Sequence, residues 1–287
     1  MFGQQRENRE AKREIRYGEN GKPKHGNMRE YDSAVNITPT FGQVIGLPFD
    51  IKECLDSGFC TTGTSQSGKT TLAKYLAQIL RLSGVIVNVM DVSQAWTHDT
   101  PIPQIATISN LPCNVQWNED ESCVFDLSRL TTKDRFDFVI AFCNDLMRSR
   151  TQNYVSTMRK VIVIFEEAQM YMPNGAMRSL DKYGPVLDLI SVGANFGVRF
   201  GLITQFPANV DKAPVKITQQ RYFGWTTEKN DLNYIKSFLT EKEDIDALKK
   251  LNKGEFIYQL RGKTQRVKVE AFGQQKQGYG VQLSYAI

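Results

Sequence analysis

Eight residues constrain this chain more than any others: Gly63-Thr64-Ser65-Gln66-Ser67-Gly68-Lys69-Thr70. They follow the spacing G-x-x-x-x-G-K-[ST], and that spacing has a mechanical cause. The two glycines let the backbone curl until several N–H groups aim at one point, which suits an anion. A helix starting at the second glycine turns the positive end of its dipole on the same point. The loop therefore predicts a nucleoside triphosphate held through its phosphates by residues 63–71. Lys69 is expected to reach the β- and γ-phosphates and the Thr70 hydroxyl to coordinate Mg2+. Thr71 is expected to add an α-phosphate contact.

The surrounding pattern fits a layered fold. A short strand at 59–62 enters the loop, and a helix over 69–82 leaves it with Leu72, Leu76, Ile79 and Leu80 on one face. Ser83-Gly84 ends that helix. Residues 85–92 and 161–165 are near-continuous apolar runs, as strands buried on both faces require. Residues 123–127 and 200–204 read as two more strands. Phe136, Val139, Ile140, Cys143 and Met147 recur at helical spacing, and Pro185 is expected to open a further helix with Leu187, Ile190 and Ala194 facing inward. Strands alternating with helices predict an α/β fold with a mainly parallel central sheet flanked by helices. The C-terminal part differs. Thr240 and Glu243 are spaced as a capping box ahead of Ile245, Leu248 and Leu251. Residues 255–260 and 266–272 read as a β-hairpin turning at Gly262, with Val267, Val269 and Ala271 alternating with Arg266, Lys268 and Glu270. Residues 1–35 are charged and poor in apolar side chains, which predicts a flexible arm. The organisation expected is that arm, an ATPase domain over 36–272 and a loose Gly/Gln-rich tail over 273–287.

Two of these strands end in polar groups. The run at 161–165 leads into Glu166-Glu167. A buried strand that brings carboxylates to the sheet's C-terminal edge is what hydrolysis opposite a phosphate loop needs. Glu166 is expected to orient Mg2+ and Glu167 to polarise the attacking water as general base. Asp91, at the end of a neighbouring strand, is a rival for the metal-side role. Gln205 closes the strand at 200–204 and can sense the γ-phosphate or align the water.

The phosphate loop, then Glu166-Glu167-Ala168-Gln169, then the stretch from Asn195-Phe196-Gly197 through Thr204-Gln205-Phe206-Pro207 occur in that order. Together they resemble the HerA/FtsK superfamily of DNA-pumping ATPases over about residues 59–211. The resemblance implies a RecA-like P-loop NTPase core that uses ATP and Mg2+. It also implies a homo-oligomer, usually a hexameric ring, around double-stranded DNA. Two positions depart from the family pattern. The first acid is Glu166 where Asp is usual. The basic residue that often precedes the Phe/Tyr-Gly step, acting on the neighbouring subunit as an arginine finger, is missing from Gly193-Ala194-Asn195-Phe196. Arg199 is the nearest replacement, ahead of Arg178 and Arg221. In size the chain is most similar to the packaging ATPases of membrane-containing icosahedral viruses, which implies a capsid or portal partner and association with the virion. A HerA-like or plasmid conjugation or segregation motor is the alternative.

Composition sets outer bounds. A net charge of +5 permits a nucleic-acid partner without demanding one. Arg178 and Lys182 within 170–182, and Lys212 and Lys216 after Pro207, offer the charge that tracking a phosphate backbone needs without base readout. Five cysteines without a C-x-x-C argue for reduced thiols in a cytosol rather than a zinc or redox site. The polar N-terminus does not read as a secretory signal, and no apolar run nears the ~18–20 residues of a membrane span. Three other classes compete. A GTPase-like switch would carry N-K-x-D, whereas Thr227-Glu228-Lys229-Asn230-Asp231 holds those letters in the wrong order. A small-molecule or nucleoside kinase needs an acceptor pocket. An ATP-binding assembly protein without motor activity would not need Glu167.

Overall fold

The computed structural model describes residues 47–112, 120–152, 159–239 and 241–269. The charged arm, the tail and Thr240 of the expected capping box lie outside the described residues. In order the elements are α1 (Ile51–Ser57), β1 (Phe59–Thr62), α2 (Lys69–Leu82), β2 (Ile86–Asp91), β3 (Gln104–Thr107), β4 (Cys123–Asp126), α3 (Thr132–Gln152) and β5 (Val161–Phe165). There follow α4 (Leu180–Val192), β6 (Val198–Thr204), α5 (Lys212–Ile217), β7 (Gln220–Gly224), α6 (Lys229–Ile235), α7 (Lys242–Leu248), β8 (Glu255–Leu260) and β9 (Lys263–Lys268).

The nine strands form one sheet in the order β3-β4-β2-β5-β6-β1-β7-β8-β9. Pairing is parallel from β3 through β7 and antiparallel for β7–β8 and β8–β9. The mainly parallel sheet with a C-terminal hairpin is thus the expected one. Its strands lie between two apolar layers because successive side chains point to opposite faces. On one face Val161, Val163 and Phe165 of β5 join the cluster containing Phe138, Val139 and Phe142 of α3 and Leu189 of α4. On the other, Ile162 and Ile164 join Leu72, Leu76 and Leu80 of α2. Each such side chain contributes about 1.5–3 kcal/mol on burial.

Register decides where the strands end. Phe59 pairs with Gly201 and Thr62 with Thr204 between β1 and β6. Ile164 pairs with the same Gly201 from β5. A Cβ on Gly201 would lie 2.3 Å from the Phe59 ring, so the missing side chain makes room for that ring. The strand before the phosphate loop and the strand before Glu166 therefore flank β6, and all three reach the same edge of the sheet.

The helix after the phosphate loop runs over the predicted residues, as do β1 and β5. Pro185 does not open its helix. Helix α4 begins at Leu180, because Lys182 and Tyr183 already donate to the Ser179 carbonyl at 3.1 Å each. Pro185 sits in the interior, where its ring forfeits a bond to the carbonyl four residues earlier. Leu187 and Ile190 are buried as expected, but Ala194 lies half-buried in the 3-10 turn that follows the helix. Glu241 occupies the N-cap of α7 and makes no side-chain capping bond. The hairpin is tighter than predicted. Arg261 (φ 48°) and Gly262 (φ 82°) form a two-residue turn, so β9 starts at Lys263. Its Val267 is buried between exposed Arg266 and Lys268.

Candidate nucleotide site

The phosphate loop is shaped by left-handed backbone. Gly68 has φ 100° and Gln66 φ 63°. A Cβ on Gly68 would meet Gly254 Cα at 3.2 Å, and one on Gly63 would meet Ser67 Oγ at 2.8 Å. Two main-chain bonds hold the loop from outside: the Thr64 N–H donates to the Trp225 carbonyl at 2.8 Å, and the Gly254 N–H donates to the Ser67 carbonyl at 2.9 Å. The end of β7 and the start of β8 thus brace both halves of the loop.

Lys69 opens α2 and is 8% exposed. Its Nζ folds back on the Thr64 carbonyl at 2.8 Å. Burial pushes the ammonium pKa down, while Glu167 and then Glu166 pull it up. Thr64 Oγ1 and Ser67 Oγ are buried without a hydrogen-bond partner. Both are hydroxyl donors within the loop, so it fits a triphosphate that would satisfy them. Thr71 is half-buried one residue beyond Thr70, and Ser65 is exposed at the rim.

Opposite the loop, Thr70 Oγ1 donates to Glu166 Oε1 at 2.9 Å. Glu166 Oε2 accepts from the Trp96 indole at 2.6 Å. Trp96 is fully buried, and its backbone N–H donates to Asp91 Oδ2 at 2.8 Å. Burial pushes the Glu166 carboxyl up to about 7; the Trp96 and Thr70 bonds oppose that shift, and Asp91 and Glu167 add to it. Asp91 also accepts from the Ser93 N–H at 3.0 Å and hydroxyl at 3.2 Å. It buttresses the Trp96 loop, whereas Glu166 touches Thr70. Among the described residues no three His, Cys, Asp or Glu side chains gather to cage a metal. Mg2+ differs from such cases, since it keeps waters and takes one or two protein oxygens plus phosphates. The Thr70 hydroxyl and the Glu166 carboxylate fit that requirement.

Glu167 lies in the left-handed region at φ 52°, ψ 56°. Its Oε2 accepts from Gln169 Nε2 at 2.8 Å, and Gln169 Oε1 accepts from Thr204 Oγ1 at 2.7 Å. Gln205 is half-buried at the end of β6, next to that hydroxyl. Lys69, Thr70, Glu166, Glu167 and Gln205 therefore leave one edge of the sheet together.

Arg199 is not among them. It is the second residue of β6, so it sits at the opposite end of the strand, about 20 Å from Gln205 at strand rise. Its Nε donates to the Leu55 carbonyl at 3.2 Å. Arg221 is committed to structure, bonding Gln259 Oε1 at 2.8 Å and the Val215 and Lys216 carbonyls and stacking on Phe238. Arg178 is exposed in a short 3-10 turn. Asp231 is also spent: its Oδ1 accepts the Ala208 N–H at 2.9 Å.

Sequence reasoning did not anticipate Trp96, or Gln169 as a bridge to Thr204. Neither has a spacing that marks it, since Trp96 sits in the polar loop after β2. A second unforeseen feature is that the two charged segments are joined. The Asn174 N–H donates to the Asn209 carbonyl at 2.8 Å, the Asp211 N–H to the Met172 carbonyl at 2.9 Å, and Pro173 bridges Val210. Lys212 and Lys216 are exposed beside this junction. No helix among the described residues is long and apolar enough to cross a membrane. Cys54, Cys60, Cys123 and Cys143 are free thiols in the core.

No protein-family model and no curated protein matches the chain. Solved structures do. The genome-packaging NTPase B204 of Sulfolobus turreted icosahedral virus 2, in complex with ATP-gammaS, aligns at TM-score 0.58 and 15% identity over 75% of this chain and 98% of that one. B204, the DNA-packaging ATPase of Sulfolobus turreted icosahedral virus, aligns at TM-score 0.52 and 16% identity over 74% and 97%. VirB4 of Thermoanaerobacter pseudethanolicus aligns at TM-score 0.60 and 12% identity over 78% and 93%. At such identities the likeness carries the architecture, and the chain has the RecA-like P-loop NTPase fold.

Proposed function

We propose that this chain is an ATPase that drives double-stranded DNA, and that it serves in viral genome packaging. The observation that carries the reading is the convergence of Lys69, Thr70, Glu166, Glu167 and Gln205 on one sheet edge, around buried hydroxyls that lack partners. Residues 63–71 hold the triphosphate through N–H groups and hydroxyls. Lys69 leaves the Thr64 carbonyl for the β- and γ-phosphates, a move that replaces a neutral acceptor with an anionic one. Thr70 and Glu166 would hold Mg2+, which would neutralise charge on the phosphate oxygens. Glu167 accepts the proton of the water that attacks the γ-phosphorus in line, and Gln205 orients that water. The bond to the β-phosphate oxygen breaks, leaving ADP and inorganic phosphate.

Support for DNA as the load comes from the two segments that leave Glu167 and Gln205. They are bonded to each other and carry Arg178, Lys182, Lys212 and Lys216, so motion at the catalytic strands reaches a basic surface. The packaging ATPases of two Sulfolobus viruses, built on the same fold, favour packaging among the uses of such a motor. A homo-oligomeric ring, expected as a hexamer, would let Arg199 of one subunit act at its neighbour's site, with a capsid or portal protein as the docking partner. Triplex displacement tests the reading. ATP-dependent release of a third strand from duplex DNA supports it. Steady hydrolysis without any release would count against translocation.

A further inference from the structure

The contacts of Glu167 continue past its carboxylate. Gln169 Nε2 donates to Glu167 Oε2 at 2.8 Å, Thr204 Oγ1 donates to Gln169 Oε1 at 2.7 Å, and the Phe206 N–H donates to Thr204 Oγ1 at 3.1 Å. Thr204 is 1% exposed, so its hydroxyl has no bulk water to fall back on. Its buried member, Thr204 Oγ1, both donates and accepts, which is the condition under which a buried polar group holds its partners in place. The backbone of Glu167 adds a second constraint, because a non-glycine residue at φ 52° is held in a sparsely populated region.

We propose that Gln169 is a positioning residue for Glu167, registering the carboxylate to the end of β6. The inference rests on the reading of Glu167 as the general base. Three features of the geometry favour it. The amide is a neutral donor, so it fixes Oε2 without cancelling the charge that makes the carboxylate a base. The other oxygen, Oε1, is left to take the proton from water. The far end of the amide is anchored by the residue next to Gln205, so base and water-aligning amide share one support. The link continues to the main chain of Phe206, the first residue of the segment that carries Lys212 and Lys216.

The test is the steady-state rate and KM for MgATP of Gln169→Ala, the near-isosteric Gln169→Glu, Thr204→Val and Thr204→Ser, with Glu167→Gln as reference and binding of MgATP as the check on folding. Gln169→Ala and Thr204→Val are expected to lower kcat about tenfold or more with KM within about twofold of wild type. Gln169→Glu, which replaces the donor with a carboxylate, falls at least as far. Thr204→Ser keeps the hydroxyl and regains most of the rate. The double variant Gln169→Ala/Thr204→Val is no slower than the worse single, since both remove one link. Should Gln169→Ala fold poorly, the contrast between Thr204→Val and Thr204→Ser decides the matter alone. A Gln169→Ala or Thr204→Val kcat within about twofold of wild type, alongside an inactive Glu167→Gln, overturns this inference and leaves the base assignment standing. Full turnover by Glu167→Gln overturns the base assignment, and this inference falls with it.

Discussion

Thr70 Oγ1 donates to Glu166 Oε1 at 2.9 Å, a contact that closes 96 residues of sequence. It joins the first turn of α2 to the end of β5 and so sets the distance between phosphate loop and acidic strand. Replacing Thr70 by Ala removes one oxygen from this pair. The expected result is a MgATP affinity about tenfold or more lower, with ATP affinity in EDTA nearly unchanged. Equal losses with and without the metal would place Thr70 outside the Mg2+ site.

Glu167→Gln keeps the shape of the side chain and, through its amide oxygen, an acceptor for Gln169 Nε2, but it cannot take a proton. Nucleotide binding should survive while turnover drops by about 10²–10⁴-fold. Equilibrium binding and single-turnover hydrolysis measured on the same protein separate the two effects. Equal loss of both would point to a structural role.

Burial holds the Glu166 carboxyl at about 7, well above the usual carboxylate range. In that pH interval the folded chain therefore binds more protons than the unfolded chain. Stability must fall as pH rises from the unfolded carboxyl's range through about 7, by an order of ~3 kcal/mol for this group. Denaturant unfolding of the ligand-free protein at pH 5 and pH 8 checks this. Glu166→Gln should flatten the difference, and an unchanged pH dependence in that variant would refute the assignment.

Much of this arrangement is legible in the residues. The loop spacing, the helix of 69–82 and the runs at 59–62 and 161–165 mark themselves because parallel strands buried on both faces have continuous apolar sequence. Strand β7 hides because Gln220 and Arg221 are buried polar residues with partners far away in sequence, such as Asp50 and Gln259. Edge strand β3 has half-exposed alternation over Gln104–Thr107 and no such run. Lys69, Thr70, Glu166 and Glu167 stand out in the sequence because local spacing marks them, and the fold brings them to one edge of the sheet. The bonds from Trp96 to Glu166 and from Gln169 to Thr204 span 70 and 35 residues, and no local pattern encodes them.

The packing that lines up the strand ends is testable too. Gly201 lies under Phe59, and a Cβ there would approach the ring to 2.3 Å. Gly201→Ala should cost about 1–3 kcal/mol by overpacking. Calorimetry should show Tm lower by roughly 2–4 °C per kcal/mol lost for a domain of this size. An unchanged Tm would mean that the ring can move aside.

The proposed function requires hydrolysis at Lys69 and Glu167 to be coupled to duplex DNA. The rate of ATP hydrolysis by the purified protein, with and without long linear duplex DNA, tests it most directly, with Lys69→Ala as the blank. The expected rate rises severalfold with DNA and vanishes in Lys69→Ala. A wild-type rate indifferent to DNA across salt concentrations, or one that survives Lys69→Ala, would contradict it.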